Sequence, residues 1–280
     1  KKSIQKLDIY DYERPIGIQM FGGEEDAMVQ SAQIIEKANP DIIDINYGCP
    51  VQKVVCKMAG AGILQDINKM IRLTDQVVKA TNKPVTVKTR LGWDEQTKNI
   101  VEVAERLQDI GIQALSIHGR TRKQMYKGEA DWTLMAEIKN NPRIHIPIFG
   151  NGDIDSPQKA LEYKNRYGID GIMIGRAAIG YPWIFNQVKA FLKDGTILPH
   201  PTIADRIEAM KIHLEKSIEW KGERVGINEM RPHYTNYLKG IPHIKPYRAR
   251  IVTSLDVNEI HSIFAEMSEE VEKGNMVELV

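Results

Sequence analysis

Apolar residues fall into two alternating textures over the first two-thirds of the chain. Short runs rich in Ile and Val, with little polar alternation, occupy 15–21, 41–48, 84–92, 114–120, 146–153 and 171–177. Near-continuous runs of this kind suit parallel strands covered on both faces. Longer stretches with helical spacing lie between them, at 24–38, 66–80, 97–110 and 157–166. In 97–110, Ile100, Val103, Ala104 and Leu107 fall on one face. Asp155-Ser156-Pro157 supplies a cap and an early proline for the stretch at 157–166. The repeating βα unit predicts a parallel sheet, open or closed.

The texture changes near Pro199-His200-Pro201. Thr202 is placed to cap a helix whose stripe is Ile203, Ile207, Met210, Leu214 and Ile218. Helical patterns follow at 226–239 and 256–273, the latter carrying Val257, Ile260, Phe264, Met267 and Val271. No strand pattern occurs after 180. The expected division is an α/β domain over 1–199 and a small helical domain over 200–280.

Composition narrows the class. The 280 residues are 42% hydrophobic and 27% charged, as in ordinary globular proteins. Nothing approaches the roughly eighteen consecutive apolar residues of a membrane span, and the polar start KKSIQKLDIYDYERP has no secretory h-region. The two cysteines, Cys49 and Cys56, have no C-x-x-C spacing, which points to a reducing cytoplasm and away from a disulfide scaffold. Net charge is +1, so any nucleic-acid surface must be local. Residues 221–250 suit either such a surface or a solvated helix face: Lys221, Arg224, Arg231, Lys239, Lys245, Arg248 and Arg250 stand against only Glu223 and Glu229.

The candidate chemistry sits where the strand-like runs carry polar residues. Gln19 lies in the first. Asn46 and Gly48-Cys49-Pro50 end the second, Lys88 and Arg90 the third, and His118-Gly119-Arg120 the fourth. Asn151-Gly152-Asp153 ends the fifth and Gly175-Arg176 the sixth. Singly, each is an ordinary strand or turn residue. Together they mark one end of a parallel sheet, where such folds place their sites. The glycines at the ends of the last two runs, with Arg176, suit a phosphate-bearing ligand; a flavin, a nucleotide and a sugar phosphate fit that pattern equally.

Longer motifs carry a resemblance. INYGCPVQKV, followed by Gly60-Ala61-Gly62 and Leu64, together with VKTRLGW, IHGRTRKQMYKGEADW, FGNGDI and MIGRAAIGYPWIF, resembles the tRNA-dihydrouridine synthases, most closely the bacterial B-type branch, from about residue 14 to 250. The resemblance implies a TIM (β/α)8 barrel that binds FMN and is reduced by NADPH, followed by a helical tRNA-binding domain. It places Gln19, Lys88, His118, Asn151, Gly152, Asp153, Gly175 and Arg176 at the flavin and makes Cys49 the catalytic residue. In that chemistry the flavin gives hydride to uracil C6 and Cys49 gives a proton to C5. A thiol with an ordinary pKa of about 8.5 is protonated at neutral pH and can do so. Lys88 would offset charge on the reduced ring and Arg176 the phosphate.

Asn46, Arg90, Arg120 and Arg122 are expected at the substrate, with the segment 120–132 covering it. Arg231, Lys239 and Arg248 are expected on tRNA, and Glu266, Glu269, Glu270 and Glu272 facing away from it. Cys56 is read as structural. A monomer without metal or membrane partner is expected.

Only six of a barrel's eight strands are visible. By the resemblance the absent pair is the family's first two, and the missing initiator methionine fits a chain shortened at its start. Two other readings remain. A flavin barrel acting on a free pyrimidine is disfavoured by the basic helical tail. A non-catalytic RNA-binding remnant is disfavoured by the intact Cys49, Lys88 and Arg176.

Overall fold

Six strands pair in parallel in the order in which the chain meets them: β1 (Gly17–Met20), β2 (Ile42–Asn46), β3 (Val85–Arg90), β4 (Ala114–His118), β5 (Ile148–Asn151) and β6 (Gly171–Met173). This computed structural model describes residues 6–277; the basic start at 1–5 and the last three residues lie outside it. A doubly wound sheet reverses its strand order at a switch point, whereas barrel winding adds each strand beside the last. The order here never reverses, and β1 and β6 are its edges among the described residues.

Helices α1 (Glu25–Lys37), α2 (Gln52–Val55), α3 (Ile67–Lys79), α4 (Ile100–Asp109), α5 (Thr133–Asn140) and α6 (Pro157–Tyr167) intervene between strands. The register aligns Met20, Ile45, Val87, Leu115 and Ile148 across five strands, and all are buried. The buried stripes of α1 (Met28, Ala32, Ile35), α3 (Met70, Leu73, Val77) and α4 (Val103, Ala104, Leu107) complete that core. Side chains alternate faces along a strand, so the positions between these apolar ones form the opposite, inner face.

The chain divides into two compact units. One comprises the residues up to Ile154 with Ala160–Met173; the other comprises Asp155–Lys159 and everything from Ile174 onward. The second contains α7 (Ile184–Asp194), α8 (Ile203–Lys221), α9 (Glu223–Tyr237), α10 (Lys245–Thr253) and α11 (Val257–Glu272). Its core joins Ile207, Met210 and Leu214 of α8 to Ile227, Met230 and Tyr234 of α9 and to Ile260, Phe264 and Met267 of α11. Thr202 caps α8, accepting from the Asp205 N–H while Asp205 reaches back to the Thr202 N–H.

The structure departs from the sequence expectation in places. The sixth run yields only Gly171–Met173 as strand. Gly175 and Arg176 follow it within the second unit, Arg176 opening the turn Arg176–Ala178 that Gly175 precedes. Four helices, α2, α5, α7 and α10, had no predicted counterpart. In α10 only Ile251 is buried, so no amphipathic stripe advertises it. No helix among the described residues is long and apolar enough to cross a membrane.

Candidate active site

Three polar rows cross the inner face of the sheet. The first aligns Gln19, Asp44, Thr86 and Ala114; the second Asn46, Lys88, Ser116 and Phe149; the third Arg90, His118, Asn151 and Met173. The residues singled out at the strand ends of the first unit therefore share one surface, because a common parallel register carries them there. Asn151 donates Nδ2–H to the Met173 carbonyl at 2.8 Å and ties the last two strands together.

Cys49 stands on the loop that leaves β2, and its side chain is half-exposed. Asn46 Oδ1 accepts from the N–H groups of Gly48 (2.8 Å) and Cys49 (3.1 Å), while the Cys49 carbonyl accepts from Ala61 N–H at 3.0 Å. Gly60, at φ +53°, passes so close that a Cβ there would lie 2.9 Å from Cys49 Cβ. The Gly60-Ala61-Gly62 segment is thus the seat of the cysteine loop. Cys56 is exposed at the end of α2 and donates its Sγ–H to the Lys53 carbonyl.

Positive charge dominates the inner face. Burial pushes the Lys88 ammonium below its ordinary value, Arg90 adds to the shift, and Asp44 opposes it. Burial likewise raises the Asp44 carboxyl, against hydrogen bonds from Thr86 and Gln19 and attraction from Lys88. Desolvation outweighs attraction for both partners. His118 is driven to about 3 by burial and by the cations of Arg90, Lys88 and Arg120, so it is neutral at physiological pH. Its ring centroid lies 6.3 Å from that of Tyr126.

Arg90 and Arg120, expected at the substrate, are among the most buried side chains. Arg90 Nε donates to the Gly48 carbonyl at 2.7 Å, and its Nη1 to the carbonyls of Thr121 (3.0 Å) and Met125 (2.9 Å). Arg120 donates to the carbonyls of Lys127 and Gly128 and to both carboxylate oxygens of Asp153. Asp153, expected at the flavin, also accepts from Ala130 N–H at 2.8 Å. These side chains brace the segment that follows β4, because its turn carbonyls lack strand or helix partners and only an arginine fork reaches several at once. Arg122 lies 4.8 Å above the Trp93 ring and donates to Gln52 at 2.7 Å, linking that segment to α2. Met125 and Tyr126 remain exposed at its tip.

Gly152 is buried at φ +127°, and a Cβ there would lie 3.2 Å from the His118 ring. Gly150, in the same motif, faces the other way: a Cβ would lie 2.0 Å from buried Trp132, so this glycine makes room for an indole and not for an anion. In the second unit, Gly175 and Arg176 are exposed, and nothing lies within 4 Å of where a Gly175 Cβ would project. Lys239 is exposed, Arg231 and Arg248 are half-buried, and Arg231 Nε is buried without a hydrogen-bond partner. Sequence reasoning passed over Asp44. Its signal was a carboxylate set between isoleucines in Ile42-Ile43-Asp44-Ile45, a position that a strand buried on both faces would not fill with an acid.

A barrel-type α/β unit with a polar, cationic inner face and a cysteine loop at its rim, joined to an all-helical unit, is the class that fold and site define. The family described as Dihydrouridine synthase (Dus) matches residues 1–272, and this chain belongs to that family. It is 38% identical over 271 residues to tRNA-dihydrouridine synthase B of Pseudomonas aeruginosa, covering 95% of this chain and 81% of that protein. It is 40% identical over 249 residues to tRNA-dihydrouridine synthase B of Xanthomonas axonopodis pv. citri, covering 89% and 74%. Among solved structures, a morphinone reductase in complex with tetrahydroNAD superposes with a TM-score of 0.45 at 12% identity, over 65% of this chain and 51% of that one.

Proposed function

We propose that this protein reduces uridines of tRNA to 5,6-dihydrouridine, with FMN as its cofactor, NADPH as reductant and Cys49 as the proton donor. The observation that carries the reading is the placement of Cys49: a half-exposed thiol on a loop pinned through both its N–H and its carbonyl, at the rim of the inner face.

That face suits a flavin. Lys88 brings a buried ammonium, attracted by Asp44, whose charge would offset that of an anionic ring. Gln19 and Asn46 bring amides, and neutral His118 brings an imidazole beside them. Gln19, Lys88, His118, Asn151 and Gly152 of the first unit would hold the ring system of FMN. Bound there, FMN would supply the hydride for uracil C6.

The chain's own groups do the rest. The Cys49 thiol gives its proton to C5 and is left as a thiolate near the Arg90 guanidinium, whose charge interacts with it. Asn46 orients the uracil or the loop. Arg122, Met125 and Tyr126 lie on a segment that Arg90 and Arg120 hold rigid, placing it to cover the substrate and exclude water. Arg231, Lys239 and Arg248 contact the tRNA backbone.

The test is direct. Purified protein should show flavin absorbance, and with NADPH and an unmodified tRNA transcript it should form dihydrouridine detectable by mass spectrometry. Cys49→Ala should lower turnover by about 10²–10⁴-fold while tRNA affinity holds. Undiminished turnover in that variant would remove the proton-donor role, and absence of both flavin and product would remove the whole reading.

A further inference from the structure

The inner face contains a head-to-tail series of hydrogen bonds that begins at a carboxylate and ends at the cysteine loop. Asp44 Oδ1 accepts from Thr86 Oγ1–H at 2.6 Å, and Asp44 Oδ2 accepts from Gln19 Nε2–H at 2.6 Å. Gln19 Oε1 then accepts from Asn46 Nδ2–H at 2.7 Å. Asn46 Oδ1 accepts in turn from the N–H groups of Gly48 and Cys49.

The ends of this series are chemically fixed. Both Asp44 oxygens accept, from Thr86 Oγ1–H and Gln19 Nε2–H, and a backbone N–H only donates. The two amides between them have one orientation that satisfies both ends, the one observed. Turning Gln19 over would set its carbonyl oxygen against the carboxylate of Asp44 and its NH₂ against the NH₂ of Asn46. Turning Asn46 over would aim donors at the donors of Gly48 and Cys49.

We propose that Asp44 is a positioning residue that fixes the direction of this relay, so that Asn46 presents its oxygen to Cys49 N–H and holds the thiol-bearing loop in place. The inference rests on the proton-donor role of Cys49 for its catalytic consequence, though not for its geometry. Asp44 itself touches no reacting atom; it acts through Gln19 and Asn46. A neutral amide at position 44 accepts less strongly than a carboxylate and, carrying both a donor and an acceptor, no longer dictates one direction.

Amide hydrogen exchange without tRNA reads the relay alone. Asp44→Asn should speed exchange at Gly48 and Cys49 by roughly fivefold, the size of one weakened hydrogen bond, with amides of α8–α11 unchanged. Asn46→Asp alone sets two acceptors against a single Gln19 NH₂ and should lower Tm. Asp44→Asn combined with Asn46→Asp restores a consistent relay of reversed direction. The double variant should therefore recover protection at both amides and be more stable than the two single changes predict by addition.

A merely structural carboxylate would give no such rescue. Parent-like exchange in Asp44→Asn, or a double variant no better than the sum of the singles, overturns the proposal. Should Asp44→Asn fail to fold, Gln19→Met cuts the same link while leaving Asp44 with Thr86, and must loosen the same two amides or the proposal fails. In the flavin-loaded enzyme, Asp44→Asn should lower kcat about fivefold with KM for tRNA unchanged. If the exchange results hold and kcat does not move, the relay stands and the proton-donor reading of Cys49 falls instead.

Discussion

Arg120 and Asp153 meet as a nearly buried fork, Nη1 donating to Oδ1 at 2.9 Å and Nη2 to Oδ2 at 2.7 Å. Because the same guanidinium also holds the carbonyls of Lys127 and Gly128, the pair fixes the segment after β4 to the turn after β5. Removing the cation would take two charge-assisted hydrogen bonds from a partly buried carboxylate that keeps the Ala130 N–H, and would take the arginine donors from both carbonyls. Arg120→Met is expected to destabilise the fold by about 3 kcal/mol, read from urea unfolding. Arg120→Lys should recover little, since an ammonium cannot reproduce the fork. A loss of less than about 0.5 kcal/mol for Arg120→Met would mean that the fork does not brace the segment.

His118 gives a pH dependence with a definite sign. Its folded pKa, about 3, lies below the ordinary 6.5, so between those values the unfolded chain binds a proton that the fold does not. The stability from burying the neutral ring is complete above pH 6.5 and is lost as pH falls toward 3. His118→Phe deletes this titration, so its unfolding free energy should fall less steeply between pH 6.5 and 4 than the parent's. Parallel curves would show that His118 is solvated or charged in the fold.

How much of this was legible in the sequence differs from residue to residue. The strand runs and the helices at 24–38, 66–80 and 256–273 were readable because each buries one continuous stripe, and periodicity records burial. The clustering of Lys88, His118 and Asn151 was readable because parallel strands bring their ends together whatever the sequence between them. The bracing partners of Arg90, Arg120 and Asp153 were not legible because a motif names the residue and not its partners. Whether an arginine faces a ligand or a loop carbonyl is decided by the path of a segment without periodicity. Asp44 was missed for a related reason: a single acid in an apolar run has meaning only once Gln19 and Thr86 are known to flank it.

Gly150 illustrates the same limit and yields a prediction. It belongs to the motif FGNGDI beside Gly152, and its open side is filled by the Trp132 ring, which also packs edge-on against Tyr163 at 5.0 Å. Gly150→Ala should therefore cost about 1–3 kcal/mol through overpacking, with quenching or shift of Trp132 fluorescence as the indole moves. Flavin affinity should change less than stability does. If instead cofactor binding is lost from a protein of parental Tm, the glycine serves the ligand and the packing explanation is wrong.

The basic segment of the second unit is smaller than its composition suggests. Arg250 is paired with Glu266 of α11, Nη1 to Oε2 at 2.5 Å and Nη2 to Oε1 at 3.0 Å, and Lys221 is paired with Glu229. Glu266 thus faces a cation of α10, and the hydrogen bond to Arg250 holds its carboxyl below the usual range. Arg206 donates to the Lys239 carbonyl at 3.0 Å and fixes the turn after α9, with the Lys239 side chain left exposed. Charge available for phosphates therefore resides in Arg224, Lys239, Lys245 and Arg248 more than in the two paired cations. Replacing Lys239 and Arg248 together by alanine should weaken tRNA binding and lower the slope of log K against log salt by roughly one unit for each phosphate no longer neutralised. Arg250→Ala should change that slope far less, because the pair already neutralises it. Equal slopes for the parent and the double variant would move the RNA-binding surface elsewhere on the protein.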